Sequence, residues 1–521
     1  MRKILSLFMV LVLVLSLAAC GAPVKEEVPT VDNATIADKK VDEYVYEDVY
    51  ITETDHNNPA TMGMFYRNTI GADISSKSEA EQESDRLADA KLKSIEEFPD
   101  TLTAKEGGKV YYLSNEGNDT NDGLTPETAR KNFFAVKTIL KAGDVVLFRR
   151  GDIFRENLLL AEGISVGAYG EGIKPRIYGS IDGKKYKWVE TSTPDVYYFT
   201  GIVTQYSNIV FNNGQAVGVP VTDFSQIKNK DLNVCYNNGI YLYCKKGNPA
   251  EVFYSIEVVS AINASLVKLT GNDITVQNLS IMYTGRHAVT GRGVKNIKIE
   301  GCVIGFCGGE YLPQGQTSLG NGVEFWNDVE NAYITNNYLF QCYDAALTHQ
   351  GPAHQKTPTD VGVNYTNIHY EDNLIEYCTY DFEAFSIWEE EELKLSPNAN
   401  WGFNDVYIRN NICRFNGYGW GSLVRPGGPY YTNFKYSVET KTPHNKPLVI
   451  ENNILDRSLN HVIAMGNNVP KDPNLILKNN TFIQRKDVCV FAEIKFNNPI
   501  YERVLENYFG VYEGNKFIII D

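Results

Sequence analysis

A short strand-like segment that ends in an asparagine-rich corner recurs along the second half of the 521-residue chain. Each copy alternates apolar and polar residues over about five positions, as expected for a strand with one buried face, and then turns at residues that tolerate left-handed backbone. The copies occupy residues 274–278, 297–301, 332–337, 368–373, 406–411, 448–453 and 475–480. The second corner asparagine recurs in steps of 27 to 42 residues, so loops of different length must connect constant strands.

Such a unit cannot bury its apolar face alone, whereas stacking successive units does, which predicts a parallel β-solenoid. The repeats contain no long run at helical spacing and too few strands for a propeller blade. Cys307, Cys342 and Cys378 each lie five residues after the same corner position, so we expect a ladder of inward thiols about 4.8 Å apart. The corner asparagines are expected to hydrogen-bond along the stack rather than to bind sugar.

The N-terminus has the pattern of an export signal. Arg2 and Lys3 precede an apolar run over residues 4–15 that is short for a membrane span. Residues 17–21, Leu-Ala-Ala-Cys-Gly, resemble a bacterial lipobox, which implies cleavage before Cys20 and attachment of lipid to its thiol. We therefore expect an extracytoplasmic protein that is anchored to a bacterial membrane through Cys20.

The chain divides by composition into a signal, a tether and a solenoid. The predicted parts are a lipoprotein signal (1–19), a flexible tether (20–105) and a solenoid (106–521) with opening coils (106–182), an insertion-rich region (183–262) and regular coils (263–521). Many charges and few periodic apolar positions favour the tether. Within it, Leu87, Leu92 and Ile95 lie near helical spacing and predict a helix inside 78–97.

Charge and cysteine usage restrict the partners. With 49 basic and 64 acidic residues, the formal net charge is −15, so nucleic acid is not expected to bind. Cys235 and Cys244 flank an Asn-Gly turn signal, but a two-residue turn would pair Cys235 with Leu242, so a disulfide between the cysteines is not favoured. The cysteine and histidine spacings predict no structural zinc.

Four segments carry a resemblance to a known family, at residues 110–129, 141–148, 321–326 and 343–350. The first two look like the opening coil of bacterial pectate-lyase-like β-helix proteins. The resemblance implies an all-β, single-stranded right-handed parallel β-helix, a fold used by many polysaccharide lyases and glycoside hydrolases. It further implies a polysaccharide or oligosaccharide substrate.

No cofactor is required by this prediction, although calcium is allowed. Asp119 and Asp122 in the opening loop are candidate calcium ligands, and Asx turns account for that loop equally well. A capped solenoid can exist as a monomer, which is the expected state.

The segment 323–327 combines a carboxylate with an aromatic ring. Strand alternation puts Val323 and Phe325 on one face and Glu324 and Trp326 on the other. If the apolar pair faces the core, an acid lies beside an aromatic platform that suits a sugar ring. Glu324 is therefore a candidate catalytic residue and Trp326 a candidate substrate contact.

Further carboxylates follow on the next two coils. Asp344 follows Tyr343, and the same Tyr-Asp pair recurs 37 residues later with Asp381, followed by Glu383. One inserted residue leaves open whether Asp381 or Glu383 occupies the matching outer position. Carboxylates on adjacent coils would lie about 5 Å apart, which suits a retaining glycosidase, and about 10 Å two coils apart, which suits inversion.

Other side chains are candidate substrate contacts. His287, Arg292, His349 and Gln350 occur on strands predicted to share a sheet with these acids. The more distant candidates for outer subsites are Trp388, Trp420 and Arg425.

The balance of charge in this window favours hydrolysis over elimination. Residues 301–390 hold thirteen Asp or Glu and one basic residue, Lys356, so the surface is expected to repel acidic polymers. A lyase needs such charges neutralised and a suitable base. The sequence therefore favours a glycoside hydrolase whose catalytic pair is Asp344 with Glu383 or Asp381, assisted by Glu324. A calcium-dependent or arginine-assisted lyase is the second alternative, and non-catalytic glycan binding or adhesion is the third.

Overall fold

The fold comes from a computed structural model of the chain. It describes residues 74–203, 206–260, 265–311, 318–353, 365–387, 405–421, 432–439, 446–459, 461–465, 471–486, 491–493, 499–500 and 507–520.

The chain winds into a parallel β-helix whose coils each contribute one strand to three long sheets. Neighbouring coils pair in register, as Ile274 with Ile297 and Ile297 with Ala332 on one sheet show. Isoleucine, valine, leucine and phenylalanine side chains from all three sheets fill the interior. The predicted solenoid is confirmed.

Strands are numbered in chain order. Sheet 1 comprises β1 (Val110–Leu113), β2 (Val145–Arg149), β5 (Ser165–Tyr169), β17 (Ile274–Gln277), β20 (Lys295–Glu300), β25 (Val329–Thr335), β28 (Tyr365–Glu371), β31 (Val406–Arg409), β34 (Leu448–Glu451), β37 (Asp472–Lys478) and β41 (Phe509–Glu513). Sheet 2 comprises β3 (Ile153–Phe154), β6 (Arg176–Tyr178), β18 (Ser280–Thr284), β21 (Val303–Cys307), β26 (Tyr338–Cys342), β29 (Leu374–Glu376), β32 (Ile412–Arg414), β35 (Ile454–Asp456), β38 (Thr481–Arg485) and β42 (Lys516–Ile520).

Sheet 3 comprises β4 (Leu158–Leu160), β16 (Ser265–Leu269), β19 (His287–Arg292), β24 (Val323–Trp326), β27 (Ala345–Ala353), β30 (Tyr380–Ile387), β33 (Thr432–Glu439), β36 (His461–Met465), β39 (Phe491–Glu493) and β40 (Pro499–Ile500). Its last pair, β39 and β40, is antiparallel, whereas the other pairs are parallel. A short hairpin joins β22 (Glu310–Tyr311) to β23 (Ser318–Leu319).

The corner asparagines form the predicted ladder between sheets 1 and 2. Asn373 donates its backbone N–H and its side-chain amide to Asn411 Oδ1 at 2.9 and 3.1 Å, and the same amide donates to Ile334 O. The residue before each corner asparagine, such as Asp372 or Asn410, adopts a left-handed backbone. Equivalent bonds connect Asn337, Asn373, Asn411, Asn453, Asn480 and Asn515.

The predicted thiol ladder is also present. Cys307 and Cys342 are register partners, and Cys378 is buried above them in the same core. Burial raises the pKa of the Cys378 thiol, which keeps it neutral. Cys235 and Cys244 are buried free thiols, and Cys235 pairs with Tyr241 rather than with Leu242, because the turn holds three residues instead of two.

An insertion departs from the coil between β6 and β16. Its strands are β7 (Ser180–Asp182), β8 (Trp188–Glu190), β9 (Val196–Phe199), β10 (Tyr206–Phe211), β11 (Ala216–Val217), β12 (Val219–Val221), β13 (Asn233–Tyr236), β14 (Ile240–Tyr243) and β15 (Ile256–Ser260). They form two further sheets, of four and five strands, that enclose a separate apolar cluster. Short helices lie at Gly183–Lys185, Asn212–Gly214, Phe224–Gln226 and Pro249–Val252, and another lies in the opening coil at Phe133–Lys137.

Helix α1 (Glu79–Glu96) lies inside the predicted range 78–97, but it packs on the solenoid, so a free tether does not continue to residue 105. It begins at a Ser78 capping box and buries Ala88, Leu92 and Ile95 against the outer face of sheet 2. The chain after it is fixed as well, since Thr101 N donates to Gln277 Oε1 at 2.9 Å. Residues 20–73 of the predicted tether, and the signal with Cys20, lie outside the described residues.

In the part of the chain that the structure describes, no helix is both long and apolar enough to span a bilayer.

Candidate functional site

The outer face of sheet 3 gathers the predicted acids by strand register. Glu324 pairs with Thr348, and Thr348 pairs with Glu383 on the following coil. Glu383 in turn pairs with Lys435. Because residues in register stack along the helix axis, these side chains form one column, which we call the acidic column (Thr290, Glu324, Thr348, Glu383 and Lys435).

Glu324 points away from the core, as the alternation predicts, since Val323 and Phe325 both belong to the interior cluster. Its Oε1 accepts from Trp326 Nε1, and its Oε2 accepts from the Asn321 side-chain amide. Only 5% of the residue is exposed. The carboxylate is therefore held in a fixed orientation by neutral donors.

His287 is the third neighbour of this carboxylate. Its Nδ1 lies 2.9 Å from Glu324 Oε2 and accepts from Asn321 N at 3.1 Å. One ring nitrogen carries either a proton or a lone pair, so the two contacts are alternatives that depend on the tautomer. The structure thus places His287, a predicted substrate contact, beside Glu324.

Glu383 occupies the outer position that the sequence left open between two acids. Its Oε1 accepts from Lys435 Nζ at 2.6 Å, and its Oε2 accepts from Gln350 Nε2 at 3.0 Å. The same Gln350 amide nitrogen donates to Thr348 Oγ1 at 3.1 Å. A second carboxylate is thus fixed on the same face, two strands away from Glu324.

A second column runs beside the first and is more open to solvent. Arg292 pairs with Trp326, and Trp326 pairs with Gln350. Arg292 is exposed, and its guanidinium lies 2.9 and 3.1 Å from the Asn327 side-chain amide, to whose oxygen it donates when that amide is turned over. These three predicted contacts therefore lie side by side next to the acids, with the indole between an arginine and an amide.

Asp381 does not face this surface, which excludes it as the outer acid in this structure. It is fully buried, and its carboxylate accepts from the Asn433 amide at 2.5 Å and the Asn416 amide at 3.4 Å. Asn416 also donates to Cys378 O, beside the thiol ladder. Burial raises the pKa of Asp381 well above its usual range, and the two amides offset only part of that effect.

His349 also lies inside the helix. It is the register partner of Phe325 on one side and of Ala384 on the other, both of them core residues. Its ring packs against Tyr365 and Tyr370, with centroids 5.3 and 5.8 Å away, and 1% of the residue is exposed. The predicted substrate contact for His349 is therefore not available in this position.

Asp344 lies at the corner that leads into β27 and is half-buried. Its backbone N–H donates to Gly320 O, and its carbonyl accepts from Tyr380 N. The electrostatic interaction of its carboxylate with Lys435 helps to raise the pKa of that lysine. Asp344 thus approaches the acidic column from its edge.

Trp420 is a packing residue rather than an open platform. It is 1% exposed, its ring lies 5.2 Å from that of Tyr343, and its Nε1 donates to Gln341 O at 2.7 Å. Trp388 and Arg425, the other predicted outer contacts, lie outside the described residues.

The two candidate calcium ligands serve the opening loop. Asp119 accepts from the backbone N–H groups of Lys131 and Asn132, each at 2.9 Å, and Asp122 accepts from Leu124 N and Thr128 Oγ1. Across the described residues, no group of three or more His, Cys, Asp or Glu side chains could hold a metal ion. Calcium dependence stays a prediction.

Sequence reasoning missed Lys435, Asn321 and Thr348. Lys435 lies on β33, 52 residues after Glu383. No asparagine corner of the repeat directly precedes β33. Asn321 lies in the segment 321–326, which carries the family resemblance. Its side chain bonds to Glu324 only three residues later, so the proximity of an asparagine and an acid in the sequence was the available signal.

Comparisons with known proteins find solved structures that the chain resembles at low similarity. No protein-family model and no curated protein matches. A structure described as XylC with xylose is 12% identical, over 74% of this chain and 64% of that one, with a TM-score of 0.36. A GH136 lacto-N-biosidase from Eubacterium ramulus is 16% identical, over 79% of this chain and 68% of that one, with a TM-score of 0.34.

A rhamnogalacturonan lyase is 11% identical, over 78% of this chain and 87% of that one, with a TM-score of 0.36. The chain spans 64% of the length of the first of these structures.

Proposed function

We propose that the protein is a glycoside hydrolase that cleaves a neutral polysaccharide or oligosaccharide on the outer face of sheet 3. The observation that carries this proposal is the acidic column, in which Glu324 and Glu383 share one outward register position. Glycoside hydrolysis needs two carboxyl groups that flank the scissile bond. The column supplies them on rigid strands, each with its own hydrogen-bond donors.

The separation of the two acids favours inversion at the anomeric carbon. They lie two strands apart, and neighbouring strands are about 4.8 Å apart, so their backbones are about 10 Å apart. Inverting enzymes keep their carboxyl groups roughly 6.5–9.5 Å apart to leave room for water, whereas retaining enzymes need about 5 Å. The wider range fits this pair.

The neighbouring column offers the means to hold a sugar. The Trp326 ring is half-buried, and its N–H is already bonded to Glu324, so the indole is fixed beside the acid. An aromatic face packs against the C–H face of a sugar, while Arg292 can donate to its hydroxyl groups and the Gln350 side-chain oxygen can accept from them. A sugar bound in this way would lie next to Glu324.

Charge on the face favours a neutral substrate. Glu324, Asp344 and Glu383 bring three carboxyl groups to this face, and the Lys435 ammonium is already paired with Glu383. A uronate polymer would bring further carboxylates close to these groups. Elimination also needs a base, and Lys435 serves poorly, because its pKa is raised and it stays protonated.

Asp344 remains a candidate for one role in the pair. It reaches the Lys435 and Glu383 group from the preceding corner, one coil closer than Glu324. A pair formed by Asp344 and Glu383 would be close enough for retention, so stereochemistry and variants decide between the two pairs.

The test uses a panel of neutral and acidic glycans. Xylan, α-1,3-glucan and a lacto-N-biose oligosaccharide represent the neutral class, and pectate, alginate and rhamnogalacturonan represent the acidic class. We expect new reducing ends from a neutral glycan without a product that absorbs ultraviolet light. An unsaturated product would instead identify a lyase, and retention without cleavage would identify a binding protein.

We also propose that the protein is a lipoprotein outside the cytoplasm, attached through Cys20. The support is the lipobox pattern at residues 17–21. Mass spectrometry of the mature N-terminus should find a lipid-modified Cys20, and Cys20→Ala should move the protein from the membrane fraction. An unmodified N-terminus at another residue would contradict this proposal.

A further inference from the structure

Lys435 and Glu383 form a close ion pair inside the proposed site. Their charged atoms lie 2.6 Å apart on adjacent strands, and their side chains are 21% and 5% exposed. The ammonium also lies 4.4 Å from the centre of the Tyr380 ring. An ion pair that is shielded from water favours the charged form of both partners.

We propose that Lys435 is a positioning residue that keeps Glu383 in its carboxylate form, so that Glu383 is the base and Glu324 the acid. This assignment rests on the proposed function and deepens it. It gives each carboxyl group a distinct role.

The surroundings of the two acids differ in charge. Glu383 is bonded to a permanent cation and to the Gln350 amide, whereas Glu324 is bonded to the Asn321 amide and the Trp326 indole and lies 2.9 Å from His287 Nδ1, which is a cation only when protonated. A cation stabilises a carboxylate more strongly than neutral donors do. Of the two acids, Glu383 is therefore the one whose ionised form is more strongly stabilised.

The other groups around Lys435 also favour its charged form. Burial alone would lower the pKa of Lys435, but Glu383, with Tyr380 and the carboxylate of Asp344, outweighs burial and raises it. Among the described residues, Glu383 contacts Lys435 from β33 and Gln350 from β27 and pairs with Thr348, whereas Tyr380 and Asp344 act on Lys435. Lys435 is the one cation in this described set.

The proposed reaction is an inverting hydrolysis. Glu383 takes a proton from water, and the water oxygen forms a bond to the anomeric carbon. The bond from that carbon to the leaving oxygen breaks with its electron pair, and Glu324 gives its proton to the leaving oxygen. Proton exchange with solvent then returns both carboxyl groups to their starting forms.

The experiment compares pH profiles of kcat/KM for the wild type and Lys435→Met on the neutral glycan that the panel identifies. Loss of the cation should raise the pKa of the base and move the acidic limb upward by roughly 1–3 pH units. Lys435→Arg should keep the limb near its wild-type position. Lys298→Met is the matched control, because Lys298 is exposed on β20 of sheet 1, away from the acidic column on sheet 3.

A second measurement reads the protonation state directly. In protein labelled with ¹³Cδ-glutamate, the resonance that disappears in Glu383→Gln reports Glu383. Its titration midpoint should rise in Lys435→Met by the same amount as the kinetic limb.

Leaving-group dependence completes the assignment. On a 2,4-dinitrophenyl glycoside of the same sugar, Glu324→Gln should regain most of the turnover, because this leaving group needs no proton, whereas Glu383→Gln should not. An unmoved acidic limb in Lys435→Met, or the reverse leaving-group behaviour, would overturn the assignment while leaving the hydrolase proposal intact. No turnover by the wild type on any glycan would overturn both.

Discussion

Glu324 on β24 and Glu383 on β30 occupy the same outward register position, separated only by Thr348 on β27. Glu383 follows Glu324 by 59 positions, so the coil geometry rather than local sequence brings them together. Each carboxylate has two side-chain donors and almost no exposed area. Burying two such acids costs stability, and a role in chemistry explains why both lie on one face.

Removing either carboxylate should abolish most turnover. Glu324→Gln and Glu383→Gln should each lower kcat on a natural glycan at least about 100-fold, because general acid or base catalysis is lost. Glu330→Gln is the control, since Glu330 lies on sheet 1 and forms an exposed pair with Lys295. Near-wild-type rates in both site variants would exclude the pair, and loss confined to Asp344→Asn would move the role to Asp344.

Trp326 should affect both binding and the orientation of Glu324. Trp326→Phe keeps an aromatic face but removes the N–H that holds Glu324, so kcat should fall with a small change in KM. Trp326→Ala removes the platform too, and KM should rise further, by roughly tenfold for about 1.4 kcal/mol of stacking. Steady-state kinetics separate the two effects, and identical KM values in both variants would contradict the stacking role.

The asparagine ladder should stabilise the fold most strongly in its middle. Asn411 bonds to Asn373, Asn453 and Tyr370, so Asn411→Ala leaves several buried polar groups without partners and should cost about 3 kcal/mol of unfolding free energy. Asn515→Ala, at the end of the ladder, should cost about half as much, because Asn515 bonds to one neighbouring asparagine, Asn480. Denaturant unfolding measures both, and equal costs would contradict a cooperative ladder.

Docking of helix α1 should weaken in acid. Asp85 accepts from Arg414 at 2.5 Å and from Arg457 at 2.6 Å. Burial alone would raise the pKa of Asp85, but Arg457, Ser76 and Arg414 outweigh it and lower the pKa. Because the folded-state pKa is depressed, this contribution to stability is present above about pH 4 and is lost as pH falls through the folded value.

Hydrogen exchange of the α1 amides should therefore speed up between neutral pH and about pH 3 relative to the sheet 1 amides, after correction for the intrinsic rate. Asp85→Asn should show faster exchange already at neutral pH. Unchanged relative protection in both cases would mean that the apolar contacts of Leu92 and Ile95 alone hold the helix.

The repeated part of the fold is predictable because its signals are local. The alternation and left-handed corners repeat in every coil, so the strands, the asparagine ladder and the thiol ladder follow from the sequence. The outward positions of Glu324 and Trp326 also follow from alternation. Docking of α1 does not, because its ion pairs join residues more than 300 positions apart, as Asp85 and Arg414 are.

Alternation fails where the chain bends from sheet 2 into sheet 3. At this bend two consecutive residues face the interior, as Ala346 with Leu347 and Asp381 with Phe382 show. A simple two-residue period therefore cannot decide between Asp381 and Glu383. Beyond the bend the alternation holds. Counted along β27 from the interior residue Leu347, it places His349 inside.

The anomeric configuration of the first product tests the central claim most directly. Proton NMR spectra, recorded within minutes of adding enzyme to the cleaved glycan, show which anomer forms before mutarotation. A pair of acids two strands apart predicts a product of inverted configuration. A product of retained configuration would contradict Glu324 and Glu383 as the catalytic pair.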